Sequence, residues 1–288
     1  MFSGTLVALA TPFEDGQVDW KRLDELVDFQ LSEGTDGIVP MGTTGESPTL
    51  SHPEHERAIE AVVKRVGGKV PVVAGTGSNS TGEAVRLTAF ARKAGADGSL
   101  QVNPYYNKPT QKGLYEHFKA VATEVDIPIV LYNIPGRCGI ELSVETICRL
   151  GEIKNIVAVK EATGNLDVSS EVAANSDLTI LSGDDSLTLP IMSVGGKGVI
   201  SVAANIVPAE VRKMTTAMLA GEIDKARAAH QKLFKLFKTM FIETNPIPVK
   251  TSLALMGKCR EEFRLPICPM MPPNKEKLIG VLKEYGLL

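Results

Sequence analysis

Ile156-Val157-Ala158-Val159-Lys160-Glu161, then Asp167 to Asn175, then Leu178-Thr179-Ile180-Leu181: this passage sets the fold. The first run is almost continuously apolar and β-branched, which marks a strand buried on both faces rather than an alternating surface strand. The middle segment reads as a helix, and the last run is again a buried strand. Strand, helix and strand joined by short links make a βαβ unit, whose two strands lie parallel in one sheet.

The same rhythm extends in both directions. Further buried-strand runs are expected at Leu6–Ala10, Gly37–Met41, Val70–Ala74, Gly98–Val102, Ile127–Tyr132 and Gly198–Val202. Helical segments fall between them: Asp19–Ser32, Pro53–Val66, Thr81–Ala94, Gln111–Glu124, Ser143–Leu150, Ser186–Val194 and Pro208–Ala220. Start signals precede several of them: Ser51 before Pro53, Ser80 and Thr81 with Glu83, and Ser143 before Glu145. Eight β-then-α units in series predict an α/β fold of the (β/α)8 TIM-barrel type over residues 1–221. A doubly wound open sheet is the alternative, but it would have fewer strands and a glycine fingerprint at its switch point. After residue 221 the rhythm stops. Gly221–Phe241, Pro248–Met256 and Asn274–Glu284 read as helices without strands between them, so residues 222–288 are expected to form a small C-terminal helical appendage.

Composition narrows the function. A net charge of −3 gives no electrostatic footprint for nucleic acid or an anionic membrane. No apolar run approaches the roughly 20 residues of a membrane helix. The start Met1-Phe2-Ser3-Gly4-Thr5 lacks a basic stretch followed by an apolar one, so no secretion signal is expected. Cys138, Cys148, Cys259 and Cys268 show no CxxC spacing and read as free thiols of a cytoplasmic protein.

In a barrel of this type the chemistry sits at the C-terminal ends of the strands. Gly42-Thr43-Thr44-Gly45-Glu46 follows the second strand. Its glycines, hydroxyls and successive N–H groups suit a bound anion, or simply a tight turn. Gly75 to Ser80 follows the third and reads as an ordinary turn. Asn103-Pro104-Tyr105-Tyr106-Asn107-Lys108-Pro109 follows the fourth. Two adjacent tyrosines there cannot both enter one core, so one suits a hydroxyl relay and the other an interface. Tyr132-Asn133-Ile134-Pro135-Gly136-Arg137 closes the fifth, offering a phenol for proton transfer and a guanidinium fork for a carboxylate. Lys160 closes the sixth. An amine at the mouth with an apolar shaft is pushed toward its neutral, nucleophilic form; a lysine paired with Glu161 is the bland alternative. At the seventh, Asp185 of Ser182-Gly183-Asp184-Asp185 reads as a helix N-cap. Lys250, in Pro246-Ile247-Pro248-Val249-Lys250, reads as an unremarkable lysine in the first turn of a helix. His52 and His55 could share a helix face, as exposed residues or a regulatory pair; two histidines are too few for zinc.

Four of these stretches together resemble one family closely: Gly-Thr-Thr-Gly-Glu at 42–46, Tyr-Tyr-Asn-Lys-Pro at 105–109, Tyr-Asn-Ile-Pro-Gly-Arg at 132–137 and Val-Lys-Glu-Ala-Thr-Gly at 159–164. They are similar to the dihydrodipicolinate synthase family of pyruvate-dependent Schiff-base aldolases, through essentially the whole chain. The resemblance implies that Lys160 forms an imine with pyruvate, whose enamine attacks L-aspartate 4-semialdehyde to give 4-hydroxy-tetrahydrodipicolinate, the committed step of diaminopimelate and lysine biosynthesis. It implies Tyr132 as proton carrier in a relay with Thr43 and with Tyr106 from a neighbouring subunit, within a homotetramer. It implies Thr44 for the pyruvate carboxylate, Arg137 for the semialdehyde carboxylate, and main-chain contacts at Gly183 and Ile200. It further implies an L-lysine feedback site of Ser47, His52, His55, Asn79, Glu83 and Tyr105, with Pro48 departing from the alanine common in lysine-sensitive relatives. No metal or organic cofactor is expected. Two other readings stay open on the sequence: a pyruvate-dependent aldolase for a sugar acid using the same lysine, and a non-catalytic barrel in which Lys160 pairs with an anion.

Overall fold

Eight parallel strands follow one another in chain order around a barrel: β1 Gly4–Ala8, β2 Gly37–Val39, β3 Val73–Gly75, β4 Gly98–Val102, β5 Ile129–Asn133, β6 Ile156–Glu161, β7 Thr179–Ser182 and β8 Gly198–Ser201. The computed structural model describes Phe2 to Leu288. Seven neighbouring pairs are ladders, including β1 with β8, where Leu6 pairs with Ile200. The eighth seam, β2 to β3, is closed by a single parallel bridge, Ile38 to Val72. There the Ile38 N–H donates to the Pro71 carbonyl at 3.0 Å and the Gly75 N–H to the Pro40 carbonyl at 2.9 Å.

The predicted strands are present, with ends that differ for local reasons. β1 starts two residues earlier than the apolar run, because Gly4 pairs with Gly198. β3 starts later than Val70, because Pro71 has no N–H to give a ladder. Every β-to-α unit is also present, through α1 Trp20–Ser32, α2 His52–Val66, α3 Thr81–Ala94, α4 Gln111–Glu124, α5 Val144–Gly151, α6 Leu166–Asn175, α7 Thr188–Ser193 and α8 Pro208–Leu219. Ser51 and Ser143 cap their helices as the spacing predicts, Ser51 in a full capping box with Glu54. Ser80 makes no capping bond; Glu83, its expected partner, turns elsewhere.

Side chains alternate strictly across the barrel wall. Every strand sends at least one residue into the central cluster: Leu6, Val39, Val73, Leu100, Val130, Ala158, Leu181 and Ile200, with Ala8, Tyr132 and Phe2 joining them. Their neighbours in sequence, such as Val7, Ile38 and Val159, face the helices and build the outer core. This is a filled barrel rather than a pore.

Beyond the barrel run α9 Ile223–Thr239, α10 Ile247–Leu255 and α11 Pro272–Glu284. Leu233, Phe237, Val249, Leu253, Leu278 and Leu282 join one buried cluster with residues of α1, α2 and the β1 and β2 loops. These helices are therefore pressed onto one sector of the barrel. Among the described residues, no helix is long and apolar enough to cross a membrane.

Beyond the ladder of β8 with β1, one buried amide ties the two chain segments together. Asn205 Oδ1 accepts from the Ala10 N–H at 3.0 Å, and Nδ2 donates to the Ala8 and Val202 carbonyls at 2.8 and 2.9 Å. Asn205→Ala strands these backbone groups out of reach of water. It is expected to cost about 3 kcal/mol, read as a lower urea midpoint at unchanged m-value.

Candidate active site

The alternation that fills the barrel also builds its mouth. Val130 and Ala158 point inward, so Tyr132 and Lys160, two residues further along β5 and β6, point inward too. The two strands pair Tyr132 directly with Lys160. Lys160 is 6% exposed, with Nζ 4.1 Å from the centre of the Tyr132 ring. Glu161 faces the opposite way, accepting from the Thr163 N–H at 2.6 Å and from Asn133 Nδ2 at 3.2 Å. It is turned to these partners rather than to the lysine.

Burial pulls the Lys160 ammonium down to about 7, against the carboxylate of Asp185 and with the help of Arg137. A large share of the amine is then neutral near pH 7. Burial pushes the Tyr132 phenol up to about 12, so it keeps its proton; Arg137 and Thr43 act against that rise. Gly183 matters to the same arrangement. A Cβ there would stand 3.1 Å from Lys160 Cε and 2.6 Å from the Ala162 Cβ, so only glycine leaves the lysine shaft its room.

The loop after β2 supplies donors. Among the described residues, neither the Thr43 nor the Thr44 N–H donates to another backbone group or to a side chain. Thr44 is buried, and its hydroxyl accepts from Asn245 Nδ2 at 3.0 Å. Adjacent unpaired N–H groups are the ordinary backbone device for binding an anion. Arg137 sits in a single helical turn, Pro135–Cys138, and donates Nη2 to the Asn245 carbonyl at 3.0 Å. Asn245 thus fastens both the loop and the arginine. The strand-end pattern gave no notice of it, because it stands before Pro246, between α9 and α10.

A cavity of about 540 Å³ opens beside these groups. Thr43, Tyr132 and Arg137 line it, and so do Ser47, His52, His55, Glu83 and Tyr105. Members of two residue sets that the resemblance keeps apart therefore share one cavity, although Lys160, Thr44 and Asn79 are not among its lining residues. Cys138 also lines it, unnoticed in the sequence. His55 is not an exposed helix residue: it is 7% exposed, with Nε2 2.8 Å from the Gly75 carbonyl. His52 is exposed and pairs with Glu83 at 2.7 Å. Glu83 also accepts from the Ser78 hydroxyl, the main reason its carboxyl is held below the usual range. That is what Glu83 does instead of closing a capping box. Asn79 lies at the edge, donating to the Tyr105 carbonyl at 3.2 Å.

Tyr106, Ile200 and Asp185 are not among the residues lining the cavity. Tyr106 does not reach the cavity of its own chain: it is 90% exposed, at a φ of +73°. Ile200 has its side chain in the barrel core. Asp185 is not the N-cap; Asp184 is, accepting from the Ser186 N–H at 2.7 Å. Asp185 is buried instead, taking the Ser201 hydroxyl and the Val202 and Ala203 N–H groups, the latter two at 3.0 and 2.9 Å. Burial pushes its carboxyl up to about 6, those hydrogen bonds opposing.

A half-neutral amine beside a protonated phenol, next to an anion-ready loop at the mouth of a (β/α)8 barrel, defines the class: a lysine-dependent, aldolase-type barrel enzyme. The family model described as "Dihydrodipicolinate synthetase family" matches residues 1–285. The 4-hydroxy-tetrahydrodipicolinate synthase of Geotalea uraniireducens is 56% identical over 290 aligned positions, covering all of both chains. The crystal structure of dihydrodipicolinate synthase from Aquifex aeolicus matches with a TM-score of 0.98 at 56% identity, over 99% of each chain. That of the enzyme from Cyanidioschyzon merolae with lysine bound matches with a TM-score of 0.97 at 41% identity, over 100% of this chain and 99% of that one. The chain belongs to the dihydrodipicolinate synthetase family.

The lowered Lys160 basicity has a direct consequence. Its ammonium form is not nucleophilic, so reductive methylation of Lys160, mapped by peptide mass over roughly pH 5 to 9, should rise about tenfold per pH unit below its inflection and level off above it. The inflection is expected near 7. Because the Asp185 carboxylate holds the lysine's basicity up, Asp185→Asn should move the inflection to lower pH.

Proposed function

We propose that Lys160, Tyr132 and the Thr43-Thr44 loop divide between them the chemistry of a two-carboxylate condensation. This chain condenses pyruvate with L-aspartate 4-semialdehyde through a lysine Schiff base, giving 4-hydroxy-tetrahydrodipicolinate, an aldolase-type lyase reaction of lysine and diaminopimelate biosynthesis. The neutral Lys160 amine attacks the keto carbon of pyruvate and water leaves, giving the iminium. Loss of a methyl proton gives the enamine, which forms the new carbon–carbon bond to the aldehyde of the second substrate. The amino group of that substrate then attacks the imine carbon, closes the ring and releases Lys160. Each stage moves a proton, and Tyr132 is the group placed to give and take it, with Thr43 next in the relay. Thr44 and the free N–H groups of the loop hold the pyruvate carboxylate. Arg137 takes the carboxylate of the semialdehyde as a fixed fork. Main-chain groups at Gly183 and Ile200 complete the walls.

The observation that carries this reading is the cross-strand pair: a buried lysine whose ammonium is pulled down to about 7, with its Nζ 4.1 Å from the ring of a buried tyrosine.

Tyr106 joins the relay from a second copy of the chain. Its exposure on a loop of left-handed backbone, at Tyr106 and Lys108, supports a surface that a neighbouring copy covers. The assembly is a homotetramer built as a dimer of dimers, and it works in the cytoplasm. Residues 1–221 form its catalytic barrel and 222–288 its helical region. L-Lysine inhibits through Ser47, His52, His55, Asn79, Glu83 and Tyr105, moderately because Pro48 replaces the usual alanine. The lysine-bound Cyanidioschyzon merolae structure supports this reading, as does the cavity that Ser47, His52, His55, Glu83 and Tyr105 line together.

Borohydride reduction in the presence of pyruvate should add mass to the Lys160 peptide alone; an unmodified Lys160 under turnover conditions sinks the imine assignment. Arg137→Ala should raise KM for the semialdehyde about a hundredfold while pyruvate trapping proceeds as in wild type. L-Lysine at millimolar levels should slow the coupled assay; undiminished rates remove the feedback site.

A further inference from the structure

Lys250 is the residue whose place in the structure departs most from its sequence reading. It is not a first-turn surface lysine: its side chain is 0% exposed, at the start of α10. Its Nζ donates to Glu46 Oε1, with the Phe13 ring centre at 4.1 Å and that of Phe263 at 5.0 Å. Glu46 is buried as well, and its other carboxylate oxygen accepts the Arg264 N–H at 3.3 Å. The ion pair therefore joins the last residue of the Thr43-Thr44 loop to the C-terminal helical region, 204 residues away in sequence.

Burying two charges is costly, and apolar side chains of similar size would fill the same space at least as stably. The pair is thus a poor device for stability and a good one for fixing where a backbone stands. The loop it holds needs fixing. Met41 and Glu46, at its two ends, both take left-handed backbone at φ of +58° and +53°, which side chains other than glycine rarely adopt. Such conformations persist only where the surroundings over-determine them. Here the surroundings do. Thr11 Oγ1 donates to the Gly45 carbonyl at 2.7 Å, and Asn245 holds the Thr44 hydroxyl at 3.0 Å. A Cβ on Gly75 would stand 2.1 Å from the Met41 carbonyl, so the third strand end presses directly on the loop. Lys250 grips the far end, two residues from Thr44.

We propose that Lys250, through Glu46, is a positioning residue for the pyruvate carboxylate: the buried pair sets where the Thr43 and Thr44 donors stand at the barrel mouth. This rests on the reading of Thr44 and its neighbours as the carboxylate site. Lys250 touches no reacting atom. It acts through the loop, and it makes the C-terminal helical region part of the active site's frame.

The test uses the full-length enzyme and two changes. The double variant Glu46→Gln/Lys250→Met removes both charges together, so neither is left buried alone. Glu46→Asp keeps both charges and shortens the tether by one methylene. Melting temperature, kcat, pyruvate KM and the pyruvate dependence of borohydride trapping are measured for each. A loop displaced by a fraction of an ångström should raise pyruvate KM about tenfold or more and shift the trapping curve by the same factor, while kcat at saturation stays within about threefold. A merely structural pair would lower the melting temperature or the active fraction and leave pyruvate KM alone. Pyruvate KM within about twofold of wild type in the folded variants overturns the proposal. If the double variant does not fold, Glu46→Asp decides by the same reading. Failure of wild-type trapping at Lys160 would strike the imine assignment instead, and pyruvate KM would still report on Lys250.

Discussion

Period-two alternation along a closed parallel barrel is the constraint on which the rest depends. Once Leu6, Val39, Val73, Leu100, Val130, Ala158, Leu181 and Ile200 fill the interior, the direction of every other strand residue is settled. Tyr132 and Lys160 follow from that rule with no further instruction: each lies two positions past an inward-facing residue, and the ladder pairs them across β5 and β6. The wall that stabilises the fold also strips water from the amine. The shift in Lys160 is a by-product of core packing.

The loops around that pair are built on a different principle. The loop after β2 lies in left-handed turns at Met41 and Glu46 and leaves two N–H groups free. Secondary structure cannot hold such a backbone, so side chains from distant segments do: Thr11, Asn245 and Lys250. Asn245 also receives Arg137, which ties that guanidinium and the Thr44 hydroxyl to one point in the C-terminal region. The helices after the barrel are therefore a brace for the site. Their apolar faces share a core with α1 and α2, and their polar residues reach the mouth.

The sequence was most legible where one residue decides its own environment. Buried strands announce themselves by continuous apolar runs, and Ser51 and Ser143 announce helix starts by capping chemistry. It was least legible where a partner distant in sequence decides. Asp185 has the composition of an N-cap, yet Asp184 took that place, because the N–H groups of Val202 and Ala203 were waiting for a buried carboxylate. Ser80 and Glu83 carry the spacing of a capping box, yet Glu83 found Ser78 and His52. His55 reads as a surface histidine and is buried against Gly75. In each case local propensity offered a partner and tertiary packing supplied a better one.

The sequence by itself therefore determined the barrel, the order of its strands, and the candidacy of Lys160, Tyr132, Thr43, Thr44 and Arg137 at their C-terminal ends. These follow from periodicity, from the polarity of strand termini, and from a family likeness carried by short contiguous motifs. Only the tertiary structure decided that Lys160 faces Tyr132 rather than Glu161, that Thr43, Tyr132 and Arg137 share one cavity with Ser47, His52, His55, Glu83 and Tyr105, and that Lys250 is a buried partner of Glu46. The physical reason is the same for all three. Desolvation and ion pairing depend on what stands within a few ångströms, and in this chain those neighbours are as much as 204 residues apart.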